Sequence, residues 1–157
     1  MDCKERLEGY LQEQGVPFEI QEHHRAYTAQ KVAASEHVPG RMFAKVVIAE
    51  TEDDDLVMLV LPASAAVDVR KASEAAGGRP VRLATEREFA PRFPDCEPGA
   101  MPPFGNLYDV PVFVDRTLGA NERIVFQAGT HTDTMSVTYR DFERLAHPTV
   151  ADLTSTR

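Results

Sequence analysis

The run Met42-Phe43-Ala44-Lys45-Val46-Val47-Ile48-Ala49 constrains this chain more than any other stretch, because every position but one is apolar. A strand that is apolar on both faces has to be covered on both, so the sheet around it needs a layer on either side. The exception is Lys45. Alternation puts Phe43, Lys45, Val47 and Ala49 on one face and Met42, Ala44, Val46 and Ile48 on the other. Lysine is almost never fully buried unless paired. Three readings follow: the ammonium reaches past the strand end to water, it pairs with an internal acid, or its face lines a cavity that receives an anionic or carbonyl-bearing ligand.

The flanking sequence supplies the covering layers. An acidic turn at Thr51-Glu52-Asp53-Asp54-Asp55 leads into a second apolar strand, Leu56 to Leu61, so the two strands read as an antiparallel hairpin. Upstream, Leu7, Tyr10 and Leu11 give a helix over Lys4 to Gln14, with Gly15 suited to end it. Pro17 to Gln21 reads as a short strand. His23-His24-Arg25 then leads to Thr28, the N-cap of a helix from Ala29 to about Glu36 that Pro39-Gly40 stops. Downstream, Ser64 is placed to cap a helix carrying Val67, Val69 and Ala72, and Gly77-Gly78 closes it. Val81 to Ala84 is extended, and Thr85-Glu86-Arg87-Glu88 is a capping box. Strands follow at Val112 to Asp115, Arg123 to Ala128 and Thr134 to Thr138, then a helix from Tyr139 to Ala146 that turns Phe142 and Leu145 inward. The fold class is α+β: a mixed, mostly antiparallel sheet, open or curved into a barrel-like form, flanked by short helices. Residues 1–157 read as a single domain, with a tail loosely held after Pro148.

Composition excludes several functions. With 157 residues, 43% apolar and 27% charged, the chain suits a folded domain with a sizeable core, and no apolar run approaches a membrane span. The N-terminus carries no secretion signal, so the expected compartment is the cytoplasm. A net charge of -8 argues against a broad nucleic-acid surface and against a DNA partner. Cys3 and Cys96 have neither motif spacing nor a framework, and are expected as free thiols. His23, His24, His37, His131 and His147 have no ligand spacing, so no metal is expected, nor any cofactor. There is no Gly-x-Ser-x-Gly elbow, phosphate loop or His-Glu-x-x-His helix.

Two further segments carry chemistry. Pro91 to Pro111 holds six prolines and two glycines, which fix a non-repetitive backbone, while Met101, Phe104, Leu107 and Tyr108 give it apolar surface to pack down. A long, stiff, apolar loop is more often functional than a linker. Ala128-Gly129-Thr130-His131 directly follows a strand. Glycine-bearing loops can offer backbone N–H groups to a developing oxyanion, chemistry suited to ester or amide carbonyls. The bland alternatives are a structural proline turn and a satisfied histidine.

Taken together, Val38-Pro39-Gly40-Arg41-Met42-Phe43-Ala44-Lys45-Val46-Val47, Leu59-Val60-Leu61-Pro62-Ala63, Asp95-Cys96-Glu97-Pro98-Gly99-Ala100-Met101-Pro102-Pro103-Phe104-Gly105 and Ala128-Gly129-Thr130-His131 resemble the YbaK / prolyl-tRNA-synthetase editing-domain family. The motifs run in the same order from the His24 region to the Asp141-Phe142 helix. The resemblance implies a mixed α/β domain around a curved sheet that hydrolyses the ester of tRNA carrying the wrong amino acid. It makes Lys45 the family's essential lysine, Gly99 to Pro103 its Gly-x-x-x-Pro loop, and His131 a pocket histidine. Lys45, Gly99 and His131 are then the expected catalytic residues. Arg41, Phe43, Ala100, Met101, Pro102, Pro103, Gly105, Gly129 and Thr130 are the expected substrate-binding ones. Attack by water helped by the substrate's own ribose hydroxyl would explain why no nucleophile stands out. The implied partner is the acceptor end of a mischarged tRNA, gripped by a limited rim of Arg41, Arg70, Lys71, Arg79 and Arg82 or delivered by a synthetase. Phe43, Met101 and Pro102 would wall a pocket that excludes the correct amino acid, the second sieve of editing. A non-catalytic module that binds aminoacyl-adenosine-like ligands or a synthetase, and a hydrolase of small non-tRNA esters, are the rival readings.

Overall fold

The computed structural model describes residues 1–23 and 28–155. Helix α1, Cys3–Glu13, begins at a reciprocal cap in which the Asp2 side chain accepts from the Glu5 N–H and the Glu5 carboxylate accepts from the Asp2 N–H. It buries Leu7 and Leu11, and the chain leaves through Gly15 in the left-handed region, φ +68°. Strand β1, Glu19–Glu22, is a polar edge strand. The His24 and Arg25 positions that follow lie outside the described residues. Helix α2, Ala29–Ser35, starts at Thr28, whose hydroxyl accepts from the Lys31 N–H.

The apolar strands form the expected hairpin. β2, Ala44–Thr51, pairs antiparallel with β3, Leu56–Pro62, placing Lys45 opposite Leu61 and Val47 opposite Leu59. Helix α3, Val69–Ala75, is capped by Asp68, which accepts from the Arg70 and Lys71 N–H groups; Ser64 does not cap it, because Ala63 to Val67 first run as a turn. β4, Val81–Leu83, adds antiparallel to the other side of β2, and the Thr85–Glu88 box opens α4, Glu86–Phe89. β5, Val112–Asp115, pairs parallel with β3, and β6, Arg123–Gln127, pairs antiparallel with β7, Asp133–Thr138. Helix α5, Tyr139–Ala146, buries Tyr139, Phe142, Leu145 and Ala146.

The strands make two sheets, β4-β2-β3-β5-β8 and β1-β7-β6, where β8 is Thr149–Ala151. Four pairings are antiparallel and two parallel, so the sheet is mixed and mostly antiparallel, with five short helices around it among the described residues. The main core lies on the Ala44, Ile48, Met58 and Val60 face, where α1, α5 and the inner face of β6 and β7 close over it. Phe43, Phe93, Phe104, Phe126 and Phe142 are fully buried, each contributing about 2–3 kcal/mol of hydrophobic stabilisation. Among the described residues no helix is long and apolar enough to cross a membrane.

Two expectations are corrected. The described part of the tail, residues 149–155, is not loose: β8 pairs parallel with β5, Leu153 is fully buried, its N–H donates to Asp115 Oδ1 at 2.8 Å, and Thr154 bridges Val67. Cys3 and Cys96 are not free thiols but form a disulfide, with Cα atoms 4.8 Å apart across a separation of 93 residues. The fold, and no sequence motif, brings them together: the Cys3 N–H donates to the Asp95 carbonyl at 2.9 Å, laying the start of α1 along the proline-rich stretch.

Candidate active site

Among the described residues the two sheets are joined along their backbones by one parallel bridge, Phe43 to Val125, with the Val125 N–H donating to the Met42 carbonyl at 3.0 Å. Beyond it, β2 continues with β3 and β4 while β6 continues with β7 and β1, and no further β2–β6 pairing occurs among the described residues. The sheets therefore fork. Phe43 and Val125 both pack against α2, so the next side chains on that same face are Lys45 on one branch and Gln127 on the other. Lys45 is half-buried beside the fully buried Leu61, and burial alone pulls its pKa below the ordinary lysine value. No carboxylate among the described residues comes within 4.0 Å of it.

The proline-rich loop and the segment after β6 close on each other. The Gly129 N–H donates to the Ala100 carbonyl and the Glu97 N–H to the Gly129 carbonyl, each at 2.9 Å. The His131 N–H donates to the Glu97 carboxylate at 3.1 Å, and His131 Nε2 donates to the Pro98 carbonyl at 2.9 Å, which puts a proton on Nε2. The buried imidazole thus lies under Gly99, which turns at φ +85° with an ideal Cβ position 3.6 Å from His131 Cε1. Gly129, at φ +99°, has no room for a side chain: a Cβ would stand 2.7 Å from Cys3 Sγ. Thr130 holds its own turn, accepting from the Asp133 N–H at 3.0 Å and donating to Asp133 Oδ2 at 2.6 Å. Asp133 is pushed up by burial, but the bonds from Thr130 and Lys4 outweigh this and hold its pKa below the usual carboxylate value.

The expected site residues divide. Gly99, Ala100, Gly129, Thr130 and His131 form one continuous lip. Met101 is buried in the main core, and Pro102, Pro103 and Gly105 are buried beside it. Phe104 drives this burial, with its ring 5.6 Å from Phe126 and 5.7 Å from Phe142. Gly105 is required for packing, since a Cβ there would lie 2.5 Å from the Val110 carbonyl. Phe43 belongs to a different cluster, with Val32, Ala33 and Ala63 under α2, so Phe43 and Met101 do not share an apolar wall. Arg41 is exposed, and its carbonyl accepts from Asn121 Nδ2 at 2.9 Å.

The five expected rim cations differ in their pairing. Lys71 pairs with Asp152 at 3.1 Å, Arg79 with Asp53 at 3.5 Å, and Arg82 with Glu50 at 2.6 Å and with Glu88. The acids of an acidic chain have folded back onto these cations. Only Arg41 and Arg70 of the five have no ion-pair partner among the described residues.

Sequence reasoning missed two inward-facing polar groups. Gln127 is 8% exposed at the end of a strand that otherwise alternates apolar residues inward, and a glutamine closing such a run is a faint signal. Glu36 has a side chain only 1% exposed, accepts from Thr134 Oγ1 at 2.7 Å and lies 3.8 Å from His23 Nε2. It borders a cavity of about 160 Å³ shared with Val38, Val125 and Ser136. A wider groove of about 1040 Å³ runs between the Arg116–Ala120 turn and α5, and no expected site residue lines it. The Cys3, Asp95 and Cys96 donor atoms lie within 4.8 Å of one another, but the two sulfurs are bonded to each other and are not thiolate ligands.

Solved structures share the whole fold. A candidate trans-editing enzyme for prolyl-tRNA synthetase is 22% identical, covering 98% of each chain at a TM-score of 0.85. A hypothetical protein is 20% identical over 96% of this chain and 99% of its own, at 0.86. A scaffold protein used in computational epitope grafting is 19% identical over 99% and 98%, at 0.85. No curated protein matches. Residues 23–145 match the aminoacyl-tRNA editing domain. The fork with its half-buried lysine and the glycine-histidine lip both lie within that span, and the chain belongs to the aminoacyl-tRNA editing domain family.

Proposed function

We propose that this chain, acting as one domain over residues 1–157, deacylates mischarged tRNA carrying alanine, serine, threonine or cysteine, on proline tRNA or a similar acceptor. The observation that carries this reading is Lys45, a desolvated ammonium with no acid partner among the described residues, on the mouth side of a sheet fork. A partly desolvated cation attracts an incoming negative or carbonyl oxygen more strongly than one in bulk water, because less water screens it. Lys45 would hold the terminal phosphate or the reacting oxygens, and the Gly99 loop would supply backbone donors to the oxyanion. His131, tied to Pro98 and Glu97, would position that lip and not touch the reacting atoms. An aminoacyl ester is already activated, so orientation and charge stabilisation suffice without a covalent intermediate, with water attacking under help from the ribose hydroxyl.

Incubation of the purified protein with a panel of mischarged tRNAs tests this directly. Release of amino acid from at least one, abolished in a folded Lys45→Ala variant, is the expected result. Binding without release across the panel would favour a non-catalytic module. Release from free aminoacyl esters with no dependence on tRNA would point to a small-ester hydrolase.

A further inference from the structure

The Gln127 side chain is more than nine-tenths buried, and among the described residues its Nε2 has no hydrogen-bond partner. Buried amide groups nearly always find one, so an orphan calls for a cause. Its cross-strand neighbour Thr134 spends its hydroxyl proton on Glu36, and the Thr134 oxygen takes no hydrogen bond from the Gln127 amide. Nor does the adjoining strand, because the ladder between β2 and β6 has ended at Phe43–Val125, two residues earlier. Gln127 thus occupies the same place on its branch of the fork that Lys45 occupies on the other, and it leads directly into the Gly129–His131 lip. By strand alternation from the Phe43–Val125 bridge, Lys45 and Gln127 leave their branches on the same face, one cationic and one a neutral donor, and among the described residues neither side chain has a hydrogen-bond or ion-pair partner.

We infer that Gln127 is a substrate-binding residue whose amide donates to an oxygen of the aminoacyl-ribose end, fixing the ester beside Lys45. The inference rests on the proposed deacylase reading and names a specificity element within it. A neutral donor here suits an uncharged ester or hydroxyl oxygen, leaving the phosphate to Lys45. It also adds selectivity, because a ligand that cannot accept the bond leaves the amide buried and unpaired.

Gln127→Leu keeps the volume and removes both polar atoms. Its deacylation of alanyl-tRNA for proline should fall about ten- to a hundredfold in kcat/KM, the range expected when a buried acceptor loses its donor. Its affinity for a non-hydrolysable 3′-amide analogue of alanyl-adenosine should weaken by a similar factor. Its melting temperature should stay level or rise, since no protein hydrogen bond is lost. Unchanged kinetics and unchanged analogue binding would overturn the inference. So would a lowered melting temperature in both Gln127→Leu and Gln127→Met, which would make the residue structural. Should the wild type release nothing from any tRNA, the deacylase reading fails, yet the analogue titration still decides Gln127.

Discussion

Lys45 stands in a strand built for apolar side chains, and its lowered pKa records what that placement costs. The native value lies below that of the unfolded chain. Between the two, the unfolded chain holds the extra proton, so folding stability rises with pH across that window; below it, the buried charge burdens the fold in full. Lys45→Met should remove this rise and leave the melting temperature at neutral pH equal or higher, while deacylation drops by about a hundredfold or more. Thermal melts over a pH series beside initial rates check both halves. If the ammonium is the working form, wild-type kcat/KM should decline on the alkaline side at a pH below the usual lysine range.

At the scale of elements, the disulfide ties the first residue of α1 to the base of the lip, and Gly129 lies against its sulfur. Reducing it, or replacing Cys96 by serine, should lower stability by about 2–4 kcal/mol, because a link across 93 residues restrains a large part of the unfolded chain. Denaturant unfolding with and without dithiothreitol measures this; equal midpoints would mean the tether does not hold α1. This pairing was invisible in the sequence because spacing does not encode connectivity. Elements with local signals were legible: Thr28 and Thr85 each cap a helix where the pattern places one, and the last helix starts at Tyr139 as its apolar spacing indicates. Ser64 misled, because an N-cap is chosen by where the chain first turns helical, and Asp68 sits there. Lys45, Gly99 and His131 were readable as odd residues in their settings. That His131 braces the lip, and that Gln127 shares the fork with Lys45, depends on strands meeting across more than 80 residues of sequence, which no local pattern carries.

Over the whole molecule, a net charge of -8 is managed by internal pairing, which consumes Lys71, Arg79 and Arg82. Binding to tRNA should therefore depend only gently on salt. With about two or three phosphates neutralised, log K against log of salt concentration should fall with a slope no steeper than about -3. Fluorescence titrations at several ionic strengths check this, and a slope near -6 would reveal a basic track that the ion pairs conceal. The C-terminal segment joins the same scheme, since Asp152 neutralises Lys71 while Leu153 plugs the space beside α3.

Among the described residues, the Phe43–Val125 bridge is the one backbone pairing that joins the two sheets. Its backbone bond sets how closely the two strands run there, so a substitution that disturbs it would move the branches carrying Lys45 and Gln127 together.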